Sequence, residues 1–258
     1  MDLGPISELL GMKVVHDRDA QTITLSQEPF VEAILAKYNF SDAKPISVPM
    51  DPSVQYSRDQ CPTTAAQTTE MKHVPFRSAL GSLMYLAVGM CPDIAFIVSM
   101  LAQFADNPGW AHWEGIKRIY RYLLGTKKLG LTFGTSKSGL IGYTDADGAS
   151  QEHRRAITGF TFLVDGGAIL WGSKKQELVT LSTAEAKYVA ATHAAKKHFG
   201  FDDSLQTSSD LSNTPRHYIV TINQLSHSPK TELTMHARNT LISDITSFVS
   251  LSKATSSV

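Results

Sequence analysis

Three carboxylates in the stretch 140–197 have the types and spacing that metal-assisted chemistry needs. Asp145 and Asp147 come at the end of a short apolar run, where a carboxylate is poorly placed for core packing, and Glu185 follows on a segment with helical spacing. Carboxylates that a strand and a crossing helix bring together can hold two Mg²⁺ ions about 4 Å apart. Such ions activate a water and stabilise the leaving oxygen of a phosphodiester. The stretch therefore points to phosphodiester hydrolysis as its candidate chemistry.

The elements that would position these carboxylates are three strands followed by one helix. We predict strands over 140–144, 157–164 and 168–171, with a turn at Asp165-Gly166-Gly167. Ser182 can cap the following helix, and Glu185 is then the acid of a capping box, which is an alternative to a metal-binding role. Small or aromatic residues recur along one face of that helix: Ala184, Tyr188, Ala191 and Ala195.

Four motifs of this stretch resemble the ribonuclease H domain of copia-type retrotransposon polyproteins. The family pattern is Gly-Tyr-Ser-Asp-Ala-Asp, Arg-Arg-Ser-Thr-Ser-Gly, Trp-Ser-Ser-Lys-Lys-Gln and Glu-Ala-Glu-Tyr. It is matched in order by Gly142 to Asp147, Arg154 to Gly159, Trp171 to Gln176 and Glu185 to Tyr188. The resemblance implies a ribonuclease H-like α/β fold and hydrolysis of RNA in RNA/DNA hybrids with Mg²⁺. It also implies that Asp145 would bridge the metals.

One departure from the family pattern falls on the metal site itself. The catalytic Glu of the helix corresponds to Lys187 in this chain. An ammonium in place of a carboxylate removes a ligand and adds a like charge beside the cations, so we expect Mg²⁺ binding to be strongly weakened and the chain to be inactive. Glu185 lies on a different helical face, and its capping role is the favoured one. An active enzyme would have to rebuild the site from Asp145, Glu185 and a tail carboxylate such as Asp210.

The composition is typical of an ordinary globular protein, and the chain carries no overall excess of positive or negative charge. The 258 residues are 42% hydrophobic, and the formal net charge is zero, so any nucleic-acid surface must be local. We find no apolar run long enough to span a membrane and no signal-peptide pattern. Cys61 and Cys91 form no metal motif. Two ordinary thiols favour a reducing compartment, so we expect an intracellular protein of the cytoplasm or nucleus.

The first half of the chain resembles another part of the same polyproteins. Strand patterns at Met12 to Val15 and Thr22 to Leu25 precede a helix predicted from Pro29 to Tyr38. The segment resembles the reverse transcriptase beyond its palm, through Leu10-Gly11, Leu25-Ser26-Gln27 and Pro49-Met50-Asp51. No Tyr-x-Asp-Asp hairpin of a palm precedes it.

The middle of the chain predicts a helical packing unit after a polar linker. Thr- and Gln-rich residues 59–73 are typical of a linker, and helical spacing follows over 75–90, 93–105 and 110–124. We therefore predict an α/β chain of five parts: a distal reverse-transcriptase segment (1–58), a linker (59–73), a helical connection (74–135), an incomplete ribonuclease H-like domain (136–197) and a divergent tail (198–258).

Basic residues fall in two clusters. The first comprises Lys117, Arg118, Arg121, Lys127 and Lys128, and the second comprises Arg154, Arg155, Lys174 and Lys175. In the family such groups could follow the phosphates of an RNA/DNA hybrid, which is the expected partner. For the first cluster we favour a solvated face. For the second, a solvated face and a phosphate-binding surface are both open.

The tail departs from the family near Lys197, and the genetic code suggests a reason. In a shifted reading frame, each codon takes the third base of one residue's codon and the first two bases of the next. Read in this way, the sequence from Tyr218 can encode Tyr-Cys-Asp-Asn-Gln, and the sequence from Met235 can include Lys-His-Ile-Asp-Ile-Arg. Both are family motifs. We hypothesise a frameshift or misjoined exon boundary close to Lys196, which sequencing of the genomic DNA and the transcript across codons 190–258 would reveal or exclude. The remaining sheet would then have an uncovered edge and an exposed apolar face.

Overall fold

The computed structural model describes residues 4–136, 140–147, 155–206, 216–222 and 231–234, with the backbone alone described beyond Lys197. The chain folds as two compact units, Met1–Thr135 and Ser136–Val258. Both contain helices and strands, so the chain has the predicted α/β character.

The first unit combines a small antiparallel sheet with a group of helices. Its sheet has the order β1-β2-β3-β4, formed by Glu8–Leu9, Met12–Asp17, Thr22–Ser26 and Leu131–Phe133. Its helices are α1 (Glu28–Lys37), α2 (Ala65–Lys72), α3 (Phe76–Gly89), α4 (Ala95–Ala102) and α5 (Trp110–Thr126). Short 3₁₀ turns lie at Arg58–Gln60 and Pro92–Ile94.

The core of the first unit is formed by α1, α3, α4 and α5. Apolar residues at helical spacing turn one face of each helix inward, which removes that surface from water. The buried cluster includes Val31, Ile34, Leu35, Phe76, Leu80, Leu83, Leu86, Ile97, Leu101, Ile116, Ile119, Tyr120 and Leu123. His112 is also buried, stacks on Phe104 with ring centroids 4.0 Å apart, and accepts the Gly109 N–H at Nδ1.

Two expectations for this half of the chain are corrected by the structure. Residues 59–73 are not an irregular linker, because Thr64 caps α2 by accepting the Gln67 N–H, and Met71 of that helix is buried. The segments 1–58 and 74–135 are not separate either. Helix α1 contributes to the core cluster of the later helices, and β4 pairs with β3.

The second unit is a five-stranded sheet with one long helix. Its strands are β5 (Leu140–Asp147), β6 (Ile157–Val164), β7 (Gly167–Lys175), β8 (Arg216–Ile222) and β9 (Thr231–Thr234), and α6 spans Thr183–Gln206. The order is β7-β6-β5-β8-β9, with β8 parallel to β5 and the other pairs antiparallel. Asp165 and Gly166 link β6 to β7 with positive φ angles of 46° and 90°.

Small residues allow α6 to pack closely on this sheet. Ala186 and Ala190 of α6 are buried against Ala146 of β5 and Ala156. Residues of β5 alternate along the strand, so Leu140, Gly142, Thr144 and Ala146 are buried while Tyr143, Asp145 and Asp147 are exposed. This alternation places Ala146 against the buried alanines of α6 and leaves Asp145 and Asp147 accessible to water.

The strands differ from their predicted extents in ways that matter for the site. Strand β5 continues to Asp147, so Asp145 and Asp147 lie within the strand rather than after it. Strand β7 is longer than predicted and ends at Lys175. The expected uncovered sheet edge is wrong, because 140–144 of β5 pair with 216–220 of β8. The sheet is therefore more complete than the prediction of an incomplete domain. Exposed apolar side chains do occur in this unit, among them Leu178, Val179 and Leu181.

None of the helices in the described part of the chain is long and apolar enough to cross a membrane.

Candidate functional site

Asp145 occupies the open face of β5 and is held there by its own backbone and by a cation. Its Oδ1 accepts the N–H of Ala146 at 2.8 Å and lies 3.5 Å from Nζ of Lys187. The side chain of Asp145 is 51% exposed, whereas that of Lys187 is only 12% exposed. A carboxylate that water can reach thus faces a lysine whose side chain is largely buried.

Helix α6 places Lys187 at this carboxylate. Its neighbour Ala186 is buried against the sheet, and Ala190 lies one turn further along the same face. Because the alanines hold the helix close to β5, the ammonium of Lys187 reaches the strand. The residue that the family resemblance placed at a catalytic Glu is therefore an ion-pair partner of Asp145.

Glu185 lies in the first turn of α6 and caps the N-terminus of that helix. Its Oε2 accepts the Leu181 N–H at 2.8 Å, and its own N–H donates to Oγ of Ser182 at 3.1 Å. These two bonds satisfy backbone donors that a helix N-terminus leaves without intrahelical partners. The carboxylate reaches Leu181 rather than the Ser182 N–H of an ideal capping box, and it acts as a cap in this structure.

Gln176 is a positioning residue that the sequence reasoning missed. It is buried, and its Nε2 donates to Oγ1 of Thr158 at 3.0 Å and to the Ala186 carbonyl at 2.8 Å. Its backbone N–H donates to the Ala156 carbonyl at 2.8 Å. This one side chain thus ties the end of β7 to β6 and to the helix turn that carries Lys187. Its place as the last residue of the motif Trp171 to Gln176 was the available signal, but its hydrogen-bond partners depend on the fold.

The second basic cluster is only partly assembled at this end of the sheet. Lys175 pairs with Ile157 and Lys174 with Thr158 in the register of β6 and β7, and Arg155 lies two residues before Ile157 and is exposed. Lys174 also forms an exposed ion pair with Glu177 at 3.2 Å. Arg154 and the tail carboxylate Asp210 lie outside the described residues.

A basic group near His193 of α6 extends this cluster. Burial lowers the pKa of His193, and the ammonium groups of Lys174, Lys197 and Lys196 lower it further. The sequence reasoning had not connected these lysines of α6 with Lys174 of β7. Glu177, which pairs with Lys174, acts on His193 in the opposite direction.

The first basic cluster is largely occupied by contacts within the first unit. Lys117 pairs with Glu114, Arg118 lies 3.4 Å from Asp51, and Lys127 lies 2.7 Å from Glu32. Arg121 donates from Nε to the Lys44 carbonyl at 2.8 Å. These contacts engage four of the five basic side chains of the first cluster.

The residues present do not fit a magnesium site. Mg²⁺ prefers octahedral oxygen coordination and is usually bound by one or two carboxylates, and two-metal sites collect several. Within the described residues, no three side chains of the His, Cys, Asp or Glu types lie close enough together to hold a metal. Lys187 puts a positive charge where the family motif has the carboxylate of the helix, so Asp145 faces an ammonium instead of a second ligand from α6.

Comparison with curated proteins identifies the family. The chain is 44% identical over 220 residues, 85% of its length, to the retrovirus-related Pol polyprotein from transposon TNT 1-94 of Nicotiana tabacum. It is 35% identical over 175 residues, 67% of its length, to the retrovirus-related Pol polyprotein from transposon RE1 of Arabidopsis thaliana. The chain belongs to the family of copia-type retrotransposon Pol polyproteins. This Pol chain spans 16% of the tobacco polyprotein and 12% of the Arabidopsis one.

A segment of this Pol family also occurs as a short protein with another name. Secreted RxLR effector protein 161 of Plasmopara viticola is 46% identical over 131 residues, which cover 91% of that protein and 49% of this Pol chain. No protein-family model matches the chain, and no solved structure matches it.

Proposed function

We propose that this chain is the part of a copia-type Pol polyprotein that joins the reverse transcriptase to ribonuclease H, and that its second unit is a ribonuclease H-like domain without nuclease activity. The ancestral reaction would be hydrolysis of RNA in RNA/DNA hybrids. The ion pair of Asp145 with Lys187 is the observation that carries the proposed loss of activity, because an ammonium faces Asp145 where the family motif has the carboxylate of the helix.

The topology of the second unit supports the ribonuclease H-like assignment. The unit consists of the antiparallel strands β5 to β7, then α6, then β8, which lies parallel beside β5. In this order of elements, Asp145 of β5 meets Lys187 of α6. The four family motifs fall, in the same order, on or next to β5, β6, β7 and α6.

A cleavage assay tests the proposal. The purified chain is incubated with an end-labelled RNA/DNA hybrid in MgCl₂, and we expect no more cleavage than with an Asp145→Asn variant purified in the same way. Mg²⁺-dependent cleavage by the parent chain that Asp145→Asn abolishes would show that the domain is an active nuclease. Because the variant shares any contaminating nuclease, the comparison isolates the contribution of Asp145.

Binding of the hybrid without cleavage is a second candidate function. It is favoured by the exposed Arg155 and by the charges of Lys174, Lys196 and Lys197, which all act on His193. We expect binding that weakens steeply with salt, as phosphate contacts do. Replacing Lys174 and Lys175 together by Ala should weaken it, whereas Lys13→Ala, an exposed charge of the first unit, should have little effect. Absence of binding at low salt would exclude this function.

A further inference from the structure

The Lys187 side chain is largely buried, and its positive charge faces a carboxylate. Its side chain is 12% exposed and faces Asp145 Oδ1 at 3.5 Å, whereas the ion pair of Lys174 with Glu177 involves side chains that are 60% and 85% exposed. Withdrawing a charged group from water is costly unless an opposite charge or hydrogen bonds replace the water. The interaction with Asp145 is therefore expected to contribute to folding of this unit, unlike an exposed surface pair.

The position of Lys187 also disfavours a divalent cation at the same carboxylate. An Mg²⁺ ion coordinates carboxylate oxygens at about 2.0–2.1 Å. An ion bound to Asp145 Oδ1 would then stand within about 6 Å of Nζ. Both groups are cations in a partly desolvated place, where screening by water is reduced. The ammonium and the metal compete for one carboxylate.

We propose that Lys187 is the resident cation of the second unit. Its ammonium compensates the charge of Asp145, so that the folded unit neither binds Mg²⁺ nor is stabilised by it. The inference rests on the proposed relationship to ribonuclease H only in the choice of Mg²⁺ as the probe. It is tested without nucleic acid and without any activity, so its outcome is independent of the cleavage assay.

Amide hydrogen exchange of the full chain is the appropriate measurement. Peptides from β5 and α6 report local opening of the second unit, without interference from the first. For the parent chain, we expect the same exchange rates in 10 mM MgCl₂ as in NaCl of equal ionic strength. Faster exchange is expected for Lys187→Glu in EDTA, because Asp145 then faces a second carboxylate. In that variant, Mg²⁺ should slow exchange by roughly tenfold for a dissociation constant near 1 mM.

Two control variants separate this effect from a general change of charge. Lys174→Glu makes the same charge change in an exposed pair of the same unit, and it should produce no Mg²⁺ response. Combining Lys187→Glu with Asp145→Asn should remove the response, because only one of the two ligands then remains. A response that persists in the double variant would mean that the ion binds elsewhere.

A neutral variant keeps the proposal testable if Lys187→Glu does not fold. Lys187→Met preserves much of the length of the apolar stem but not the charge, so we expect faster exchange in β5 and α6 with no Mg²⁺ response. If Lys187→Met exchanges like the parent, the ammonium contributes nothing and the proposal is wrong. It is equally wrong if Mg²⁺ slows exchange of the parent chain, or if folded Lys187→Glu gains no Mg²⁺ response.

Discussion

Replacing Leu35 by Ala tests whether the first 58 residues fold with the later helices. Leu35 lies in α1, is 2% exposed and belongs to the same buried cluster as the residues of α3, α4 and α5. The substitution removes three carbon atoms, which corresponds to about 2.4 kcal/mol of lost transfer free energy at about 0.8 kcal/mol for each buried carbon. Including the cavity, we expect a loss of about 3 kcal/mol. For a unit of this size, that lowers Tm by roughly 10 °C.

Hydrogen exchange assigns the effect of Leu35→Ala to particular helices. If the first unit folds cooperatively, exchange should accelerate in α3 and α5 as well as in α1. Leu129→Ala is the matched control, because Leu129 is 72% exposed in the same unit, and it should cost less than about 0.5 kcal/mol. Loss of protection confined to α1, with α3 and α5 unchanged, would refute the single core and restore the division of the chain at residues 59–73.

Two further predictions concern packing and pH. A Cβ on Gly142 would lie 2.4 Å from a ring carbon of Phe162, so Gly142→Ala should destabilise the second unit by about 1–3 kcal/mol in urea denaturation. Gly159→Ala is the control, because its Cβ would meet no atom closer than 4.0 Å, and it should be tolerated. Equal losses of stability in the two variants would contradict this packing. Burial lowers the pKa of His112 below the ordinary 6.5, so the unfolded chain binds the proton more readily and the first unit should lose stability as pH falls through that value. Urea denaturation at pH 7.5 and 5.0 should show a smaller pH-dependent loss for His112→Leu than for the parent, and an unchanged loss would exclude His112 as its source.

Regular apolar spacing allowed most elements of the described chain to be predicted, while irregular spacing accounts for the errors. Helices α3 and α5 follow long runs of apolar residues, and their observed bounds differ from the predictions by one or two residues. Helix α2 has no such pattern, because its sequence AAQTTEMK buries only Met71. The helix is capped by Thr64. The Thr- and Gln-rich composition of residues 59–73, which include this cap, indicated a linker instead.

Strand β5 shows why the site could be predicted only in part. The buried positions Gly142, Thr144 and Ala146 are small or polar, so their alternation is not a hydrophobic pattern and the strand could not be followed beyond Thr144 from sequence. Lys187 could be recognised as a departure from a family motif. Its distance to Asp145 could not, because the two are separated by 41 residues of chain and meet only through the packing of α6 on the sheet.

The hypothesis of a shifted frame concerns the tail and not the helix residue that faces Asp145. The last registered pair of β5 and β8 is Thr144 with Val220. The shifted codon for Asp spans positions 220 and 221. Lys187, however, precedes the proposed shift near Lys196, and no change of frame after it can restore a carboxylate there. Genomic sequencing decides the origin of the tail, but a chain repaired at its tail would still carry an ammonium at Asp145. The proposed loss of the metal site therefore does not depend on how the tail arose.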